Sequence, residues 1–284
     1  MQSVVVTGVS TGIGWGSVKV LTSKGIHVFG SVRKSEDAER LTNEFGDKFT
    51  PLIFDVTNEQ SVREAADKVS NQINGNNLLG LVNNAGIAKG GPLMHQPITE
   101  FRQQIEVNLI GQLIVTQAFL PLLGTNSDFK GKPGRIINMS SVGGKIASPF
   151  LGAYSASKFA LEGFSEALRR ELTIYGIDVI IVGPGSVVTP IWDKAEKMDV
   201  SAYKNTLFAA SSKKFLDYAL EKGRSGYPPE AVGKLIFKAL TTKKPRVRYP
   251  IVPNHFFDWT IPRLLPKRFI DNILAKQLGL KSKQ

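Results

Sequence analysis

Ser141, Tyr154 and Lys158 bring a hydroxyl, a phenol and an ammonium into one stretch, residues 138–158. Tyr154 and Lys158 are four residues apart, so on a helix they share one face, one turn apart. The run Arg135-Ile-Ile-Asn-Met139 reads as a strand and is followed by Ser140 and Ser141. A glycine-containing loop comes next, and a helix starts near Gly152. Ser141 therefore falls at the carboxyl end of a strand, where open α/β sheets bind ligands. The trio suits moving a proton to or from an oxygen. A free phenol has a pKa of about 10 and is a poor base at neutral pH. Lowering it to about 7 takes roughly 4 kcal/mol of preference for the phenolate. An ammonium about 5 Å away, at an effective dielectric of about 20, supplies roughly 3 kcal/mol. A second nearby cation would supply the rest, and Ser141 would hold a substrate oxygen against Tyr154. The competing reading is a surface Tyr and Lys on an amphipathic helix. The surrounding elements decide between the two.

Ser3-Val-Val-Val-Thr7 reads as a buried strand. Thr7-Gly-Val-Ser-Thr-Gly-Ile-Gly14 follows and opens a helix to about residue 24. Gly8, Gly12 and Gly14 allow a tight turn and a close approach to a phosphate, and the helix N-terminus offers N–H groups to a pyrophosphate. Strands follow at 27–32, 49–54 (leading into Asp55-Val56), 78–82 (leading into Asn83-Asn-Ala-Gly86), 178–182 and 246–249. Helices are expected at 59–73, 99–123, 152–175 and 228–242. Asn108 lies among apolar residues of the second of these, and a buried Asn must be hydrogen-bonded. The alternation predicts an α/β fold, a Rossmann-type doubly wound parallel sheet with helices on both faces.

The chain has 284 residues, 42% of them hydrophobic, enough for one large α/β domain over residues 1–250. It has no cysteine, so disulfides and thiolate metal sites are excluded. His27, His95 and His255 lack ligand spacing, and no metal site is expected. The net charge of +12 favours anionic partners such as a phosphorylated cofactor, an acidic carrier protein or a membrane surface. No aromatic-rich basic repeat suggests nucleic acid. No apolar run of membrane-spanning length and no signal peptide is read, so a cytoplasmic location is expected.

Residues 190–227 break the strand–helix rhythm and carry Trp192, Met198, Tyr203, Leu207 and Phe208. They read as a helical substrate lid; the alternative is an ordinary packed helix pair. Residues 251–284 form an extension ending in a basic helix. Its Phe269, Ile270, Ile273, Leu274 and Leu278 fall on one face, and packing on the protein's own domain is expected, with at most weak peripheral membrane contact.

In this order, Thr7-Gly-x-x-x-Gly-Ile-Gly14, Asp55, Asn83-Asn-Ala-Gly86, Asn108, Ser141, Tyr154-x-x-x-Lys158 and Pro184-Gly185 resemble the short-chain dehydrogenase/reductase family. The resemblance covers residue 3 to about 249 and implies an NAD(P)-dependent oxidoreductase. Tyr154 would be the general acid/base, and Lys158 would lower its pKa and bind the nicotinamide ribose. Ser141 would orient the substrate oxygen and Asn108 would hold a proton-relay water. Gly8, Ser10, Thr11, Gly12, Ile13 and Gly14 would cradle the pyrophosphate. Asp55 and Val56 would border the adenine, and Asn84, Ala85 and Gly86 would line the cofactor site. Pro184, Gly185, Val187 and Thr189 would meet the nicotinamide end, and Trp192 would face the substrate. The long tail and the Pro-Arg-Val-Arg-Tyr segment ending at Tyr249 resemble steroid- and retinol-active members, which implies a hydrophobic alcohol or carbonyl substrate. Alternatives are a 3-oxoacyl carrier-protein reductase and a catalytically silent dinucleotide sensor. Family members pair through the helices carrying Asn108 and Lys158, which implies a homodimer or homotetramer.

Where NAD-selective folds place an acid after the second strand, this chain has Ser31 and Val32, then Arg33 and Lys34. That favours NADP(H) over NAD(H). Arg33→Ala is expected to weaken NADPH by about 10- to 100-fold, one charge-assisted hydrogen bond, and NADH far less. Equal kcat/KM for the two cofactors in the unaltered protein would rule the preference out.

Overall fold

Valine- and isoleucine-rich runs build the sheet: β1 Ser3–Val6, β2 His27–Val32, β3 Phe49–Ile53, β4 Gly80–Asn83, β5 Arg135–Met139, β6 Asp178–Pro184 and β7 Arg248–Ile251. The structure is a computed structural model and describes residues 2–196 and 200–280. Every neighbouring pair is parallel, in the order β3-β2-β1-β4-β5-β6-β7. This is a Rossmann-type doubly wound sheet, with the order reversing between β1 and β4. The connections are α1 Gly12–Ser23, α2 Ser35–Phe45, α3 Glu59–Gln72, α4 Ile98–Ile105, α5 Gly111–Phe119, α6 Gly152–Glu171, α7 Ile191–Glu196, α8 Ala209–Arg224 and α9 Pro229–Thr241. The tail adds α10 Ile261–Leu264 and α11 Lys267–Leu278.

Alternation along the strands sends side chains to two cores. Val4, Val6, Val82 and Ile137 meet Val18 and Leu21 of α1 and Ile236 of α9 on one face. Val5, Leu81 and Ile136 meet Val62 and Val69 of α3 and Val115 and Phe119 of α5 on the other.

Several boundaries differ from the sequence reading. That reading has no helix between the second and third strands, yet α2 is there. It is a surface helix burying only Ala38 and Leu41, with Phe45 partly buried beside them at the same helical spacing. The last strand starts two residues later than expected and runs through Pro250. It is an edge strand, and proline is tolerated on edges. The expected helix 99–123 is continuous but changes pitch. Residues 106–110 form a π turn between α4 and α5, and Asn108 lies in it. The whole segment Ile98–Leu123, 26 residues, is long and apolar enough to cross a membrane by length and composition. This corrects the expectation that no stretch reaches that measure. The helix is nevertheless built into the fold, with buried Gln104, Asn108, Gln112 and Thr116.

Between β6 and α9, α7 and α8 form the expected helical segment, joined to the rest by aromatic contacts. Phe208 and Phe215 contact Phe150, with ring centroids 6.2 and 5.5 Å away, and His95 contacts Phe208 and Tyr203. Met198 lies outside the described residues. In the tail the apolar face divides. Leu278 is buried and Ile270 and Leu274 are half-buried, with α11 against α8, while Phe269 and Ile273 are exposed.

Phe119 is fully buried beneath the sheet. Phe119→Ala is expected to cost about 3–5 kcal/mol. Urea unfolding should show a lower midpoint at unchanged slope.

Candidate active site

The carboxyl ends of β1 and β4 part at the reversal of strand order, and polar side chains lock the crevice there. The Thr7 hydroxyl accepts from the backbone N–H groups of Asn84 and Ala85, 2.9 Å each. The Asn84 amide donates back to the carbonyls of Thr7 and Gly8, at 2.8 and 3.0 Å. Gly8 has φ +67°, and a Cβ there would lie 2.9 Å from Ala85 Cα. A Cβ on Gly14 would collide with the Gly8 carbonyl oxygen. Only glycine permits this backbone course. Thr11 stands at the N-cap of α1, makes no side-chain capping bond, and no acid occupies the first turn. The crevice thus fits a dinucleotide pyrophosphate: a side-chain-free cradle facing a positive helix end.

Other predicted cofactor residues lie at or beyond the carboxyl ends of β1, β2, β3 and β6. Thr189 is beside Gly12, 3.1 Å from the position of a Cβ there. Ser10 receives Arg40 on its carbonyl, 2.7 Å. Ile13 packs on the core beneath the loop, and Val56 is buried. The Asp55 carboxylate accepts from the Thr57 N–H and hydroxyl and lies 3.9 Å from exposed Arg33. Lys34 stands at the N-cap position of α2, makes no side-chain capping bond and is exposed. Pro184 and Gly185 join β6 to β7, since the Gly185 N–H donates to the Ile251 carbonyl. Trp192 is turned inward: its indole N–H donates to the Val187 carbonyl at 2.7 Å and its ring covers Gly223. It anchors the helical segment through those contacts.

Next to the crevice the chemical trio comes together. Ser141 leaves β5 and caps a short turn, its Oγ accepting from the Gly143 N–H at 3.0 Å. Around Gly143, a Cβ would lie 3.3 Å from Ser141 Oγ and 3.4 Å from the Tyr154 ring. Lys158 is 4% exposed, and its Nζ donates to the Met139 carbonyl at 2.8 Å. The same Nζ is 5.8 Å from the centroid of the Tyr154 ring. Asn108 closes the cluster. Its Oδ1 accepts from the Ile87 N–H, and its amide donates to the Ile87 carbonyl and to Ser157 Oγ, at 2.8, 2.8 and 3.0 Å. A Cβ on Gly86 would fall 3.2 Å from Asn108 Oδ1 and 3.7 Å from Lys158 Nζ. Thr7 and Ser157 hold this geometry, and sequence reasoning does not single them out. Thr7 heads the glycine motif, and Ser157 precedes Lys158, but nothing local marks either as a clamp.

The electrostatics depart from the simple two-charge expectation. Burial pushes the Tyr154 phenol up, with hydrogen bonding to Ser141 opposing it. Burial also brings the Lys158 ammonium down to about 8, with the Glu162 charge opposing it. Desolvation penalises phenolate and ammonium alike, and here it is the largest influence on both.

The Lys158 shift sets a stability window. The unfolded chain holds this proton up to about 10.5 and the native protein only to about 8, so stability rises with pH between those values. The cost of burying the cation is felt in full below about pH 8. Lys158→Met should remove it, so its stability relative to the unaltered protein should be highest below pH 8. The difference should shrink toward pH 10.5 by an amount on the order of a few kcal/mol. A pH-independent difference in urea unfolding would contradict this.

The short chain dehydrogenase family model matches residues 2–200. The chain is 41% identical over 279 residues to the NADPH-dependent 3-dehydrocapnine reductase of Ornithobacterium rhinotracheale, covering 98% of each chain. It is 33% identical over 252 residues to the 3-ketodihydrosphingosine reductase of Bacteroides thetaiotaomicron, covering 89% of this chain and 88% of that one. Among solved structures, a short chain dehydrogenase/reductase from Burkholderia phymatum, in complex with NAD, superposes with a TM-score of 0.77 at 24% identity, covering 96% and 95% of the two chains. A glycine-cradled crevice, a serine–tyrosine–lysine cluster beside it and these likenesses lead to one conclusion: the chain belongs to the short-chain dehydrogenase/reductase family and is an oxidoreductase acting on alcohol or carbonyl groups with a nicotinamide dinucleotide.

Proposed function

We propose that this enzyme is an NADP(H)-dependent ketone reductase for a lipid-like substrate. The observation that carries the chemistry is the convergence of Ser141, Tyr154, Lys158 and Asn108 at the mouth of the dinucleotide crevice. When bound, the reduced nicotinamide supplies hydride to the carbonyl carbon. Ser141 Oγ hydrogen-bonds the substrate oxygen and holds it against Tyr154. The Tyr154 phenol, kept protonated by its buried setting, donates its proton to that oxygen as the alcohol forms. Lys158, fixed on the Met139 carbonyl, stabilises the phenolate left behind. Asn108 holds the 86–87 backbone in place, which keeps the floor of the site rigid.

Support for the substrate class comes from an apolar groove of about 250 Å³. It is lined by Leu93, Met94, Phe150, Gly152, Phe208 and Leu280; Gly152 stands two residues before Tyr154 in the chain, and Ser141, Tyr154 and Lys158 are not among the lining residues. Phe208 and α8 would cover a hydrophobic chain lying there, acting as a lid. Two relatives bear names of reductases for a 3-dehydro or 3-keto substrate, one of them NADPH-dependent, so a ketone at the third carbon of an extended apolar chain is the class we assign. Arg33, Lys34 and the absence of an acid at Ser31 support the phosphorylated cofactor.

Two measurements test the reading. NADPH oxidation should be faster with long-chain 3-keto substrates than with short acyl thioesters; the reverse order would favour a carrier-protein reductase, and cofactor binding without turnover a silent sensor. Tyr154→Phe should keep fold and cofactor binding while lowering kcat by about 10²–10⁴-fold. A near-unchanged kcat, with chemistry shown to be rate-limiting, would remove Tyr154 from its role.

A further inference from the structure

A buried carboxylate lies one turn beyond Lys158 on α6. Glu162 is 4% exposed, and a charge so placed is costly unless it is paired. Its partner comes from the far edge of the sheet. Arg248, on β7, donates through Nε to both Glu162 oxygens at 3.1 Å, and its Nη2 lies 3.0 Å from Oε1. Lys145 approaches the same carboxylate, Nζ to Oε2 3.4 Å. Arg248 then reaches further. Its Nη2 donates to the Ser141 backbone carbonyl at 3.0 Å, and that carbonyl also accepts from the Gly144 N–H at 3.1 Å. One planar guanidinium therefore ties α6 to the residue that leaves β5. Room for it comes from Gly183 on β6, where any Cβ would collide with the guanidinium.

The tail covers this bridge. Trp259 is 5% exposed, and the guanidinium carbons of Arg248 and Arg263 lie over its ring, 4.0 and 4.4 Å from the centroid. Arg248 keeps only 12% of its side chain exposed. Removing water strengthens the Arg248–Glu162 attraction and holds the fork in one plane.

We propose that Arg248, Glu162 and Trp259 are positioning residues for the active site, and that the C-terminal extension is a working part of it. The proposal rests on the assignment of Ser141, Tyr154 and Lys158 made above. Arg248 sets the position of the Ser141 peptide, hence of its hydroxyl. Glu162 sets the charge balance of Lys158. Trp259 holds the bridge dry and planar. The charged and titratable groups concerned are Tyr154 and Glu162 on α6 for Lys158, Lys145 and Arg248 for Glu162, and Arg263 beyond Trp259.

The experiment uses the full-length enzyme with NADPH and a ketone that it turns over, and compares three sets of variants. Glu162→Gln removes the charge that holds the Lys158 ammonium up against burial. The alkaline limb of the kcat/KM profile should then move to lower pH. Trp259→Leu keeps apolar volume but removes the ring. It should lower kcat about 10-fold through misplacement of Ser141, with the KM for NADPH within about twofold, and Trp259→Phe should restore most of the loss. Tyr154→Phe is the control for the site itself. If it retains turnover, the site assignment fails. If it is inactive, while Glu162→Gln and Trp259→Leu keep the unaltered kcat and pH profile and lose only thermal stability, the positioning role alone is overturned. Should Glu162→Gln fail to fold, the Trp259 pair decides, because it leaves both buried charges in place.

Discussion

The buried Lys158 ammonium is a constraint that much of the surrounding structure answers. A lysine cut off from water must find acceptors and countercharge within the protein. The Met139 carbonyl takes one proton of Nζ because β5 ends at the right height beside α6. Glu162 supplies opposite charge from the same helix. That carboxylate is itself buried and needs Arg248, which must cross from the sheet edge, and Arg248 needs the Trp259 face. The chain of requirements runs from the centre of the site to the tail, each step forced by the desolvation of the one preceding it.

A second set of polar contacts keeps the crevice open and still. Thr7 and Asn84 exchange hydrogen bonds across the diverging strands, so the glycine loop keeps its shape with its own bonds satisfied. Deeper in the sheet, Asn83 donates to Asn138 and Thr116, and Asn138 donates to Ser165, linking β4, β5, α5 and α6. Asn108 can join Ile87 to Ser157 because the helix loosens into a π turn where it sits. Such turns are often found at functional sites, where one extra residue re-aims a side chain. Rigid polar connections of this kind hold reacting groups in place without relying on loop packing.

The apolar side of the site is built differently. Phe150, at φ +65° where the chain enters α6, contacts Phe208 and Phe215 of the covering segment. A phenylalanine rarely adopts that conformation, and its 7% exposure shows that burial of the ring compensates. Phe208 and α8 therefore reach the entry to α6 through rings, beside the apolar groove. The exposed Leu93 and Met94 at its rim extend that character to the surface.

Local signals in the chain determine the layered fold and most of the cofactor cradle. Glycine spacing, β-branched runs and a Tyr-x-x-x-Lys pair act over a few residues, where backbone sterics and helical period leave little choice. Spacing puts Tyr154 and Lys158 on one helix face, and Ser141 joins them through its place at the end of a strand. The helical spacing of Ala38, Leu41 and Phe45 is legible for α2, whereas local patterns do not reveal the passage of β7 through Pro250, which depends on its being an edge strand. They also miss the inward turn of Trp192 and the divided apolar face of α11, because amphipathic spacing says which residues share a side but not what meets it. The largest omission is Arg248 with Glu162. These residues are 86 positions apart, and each alone reads as a solvated charge. Only the tertiary structure decides that both are buried and face each other, since pairing across the sheet depends on strand order, and strand order is set by the packing of the whole domain.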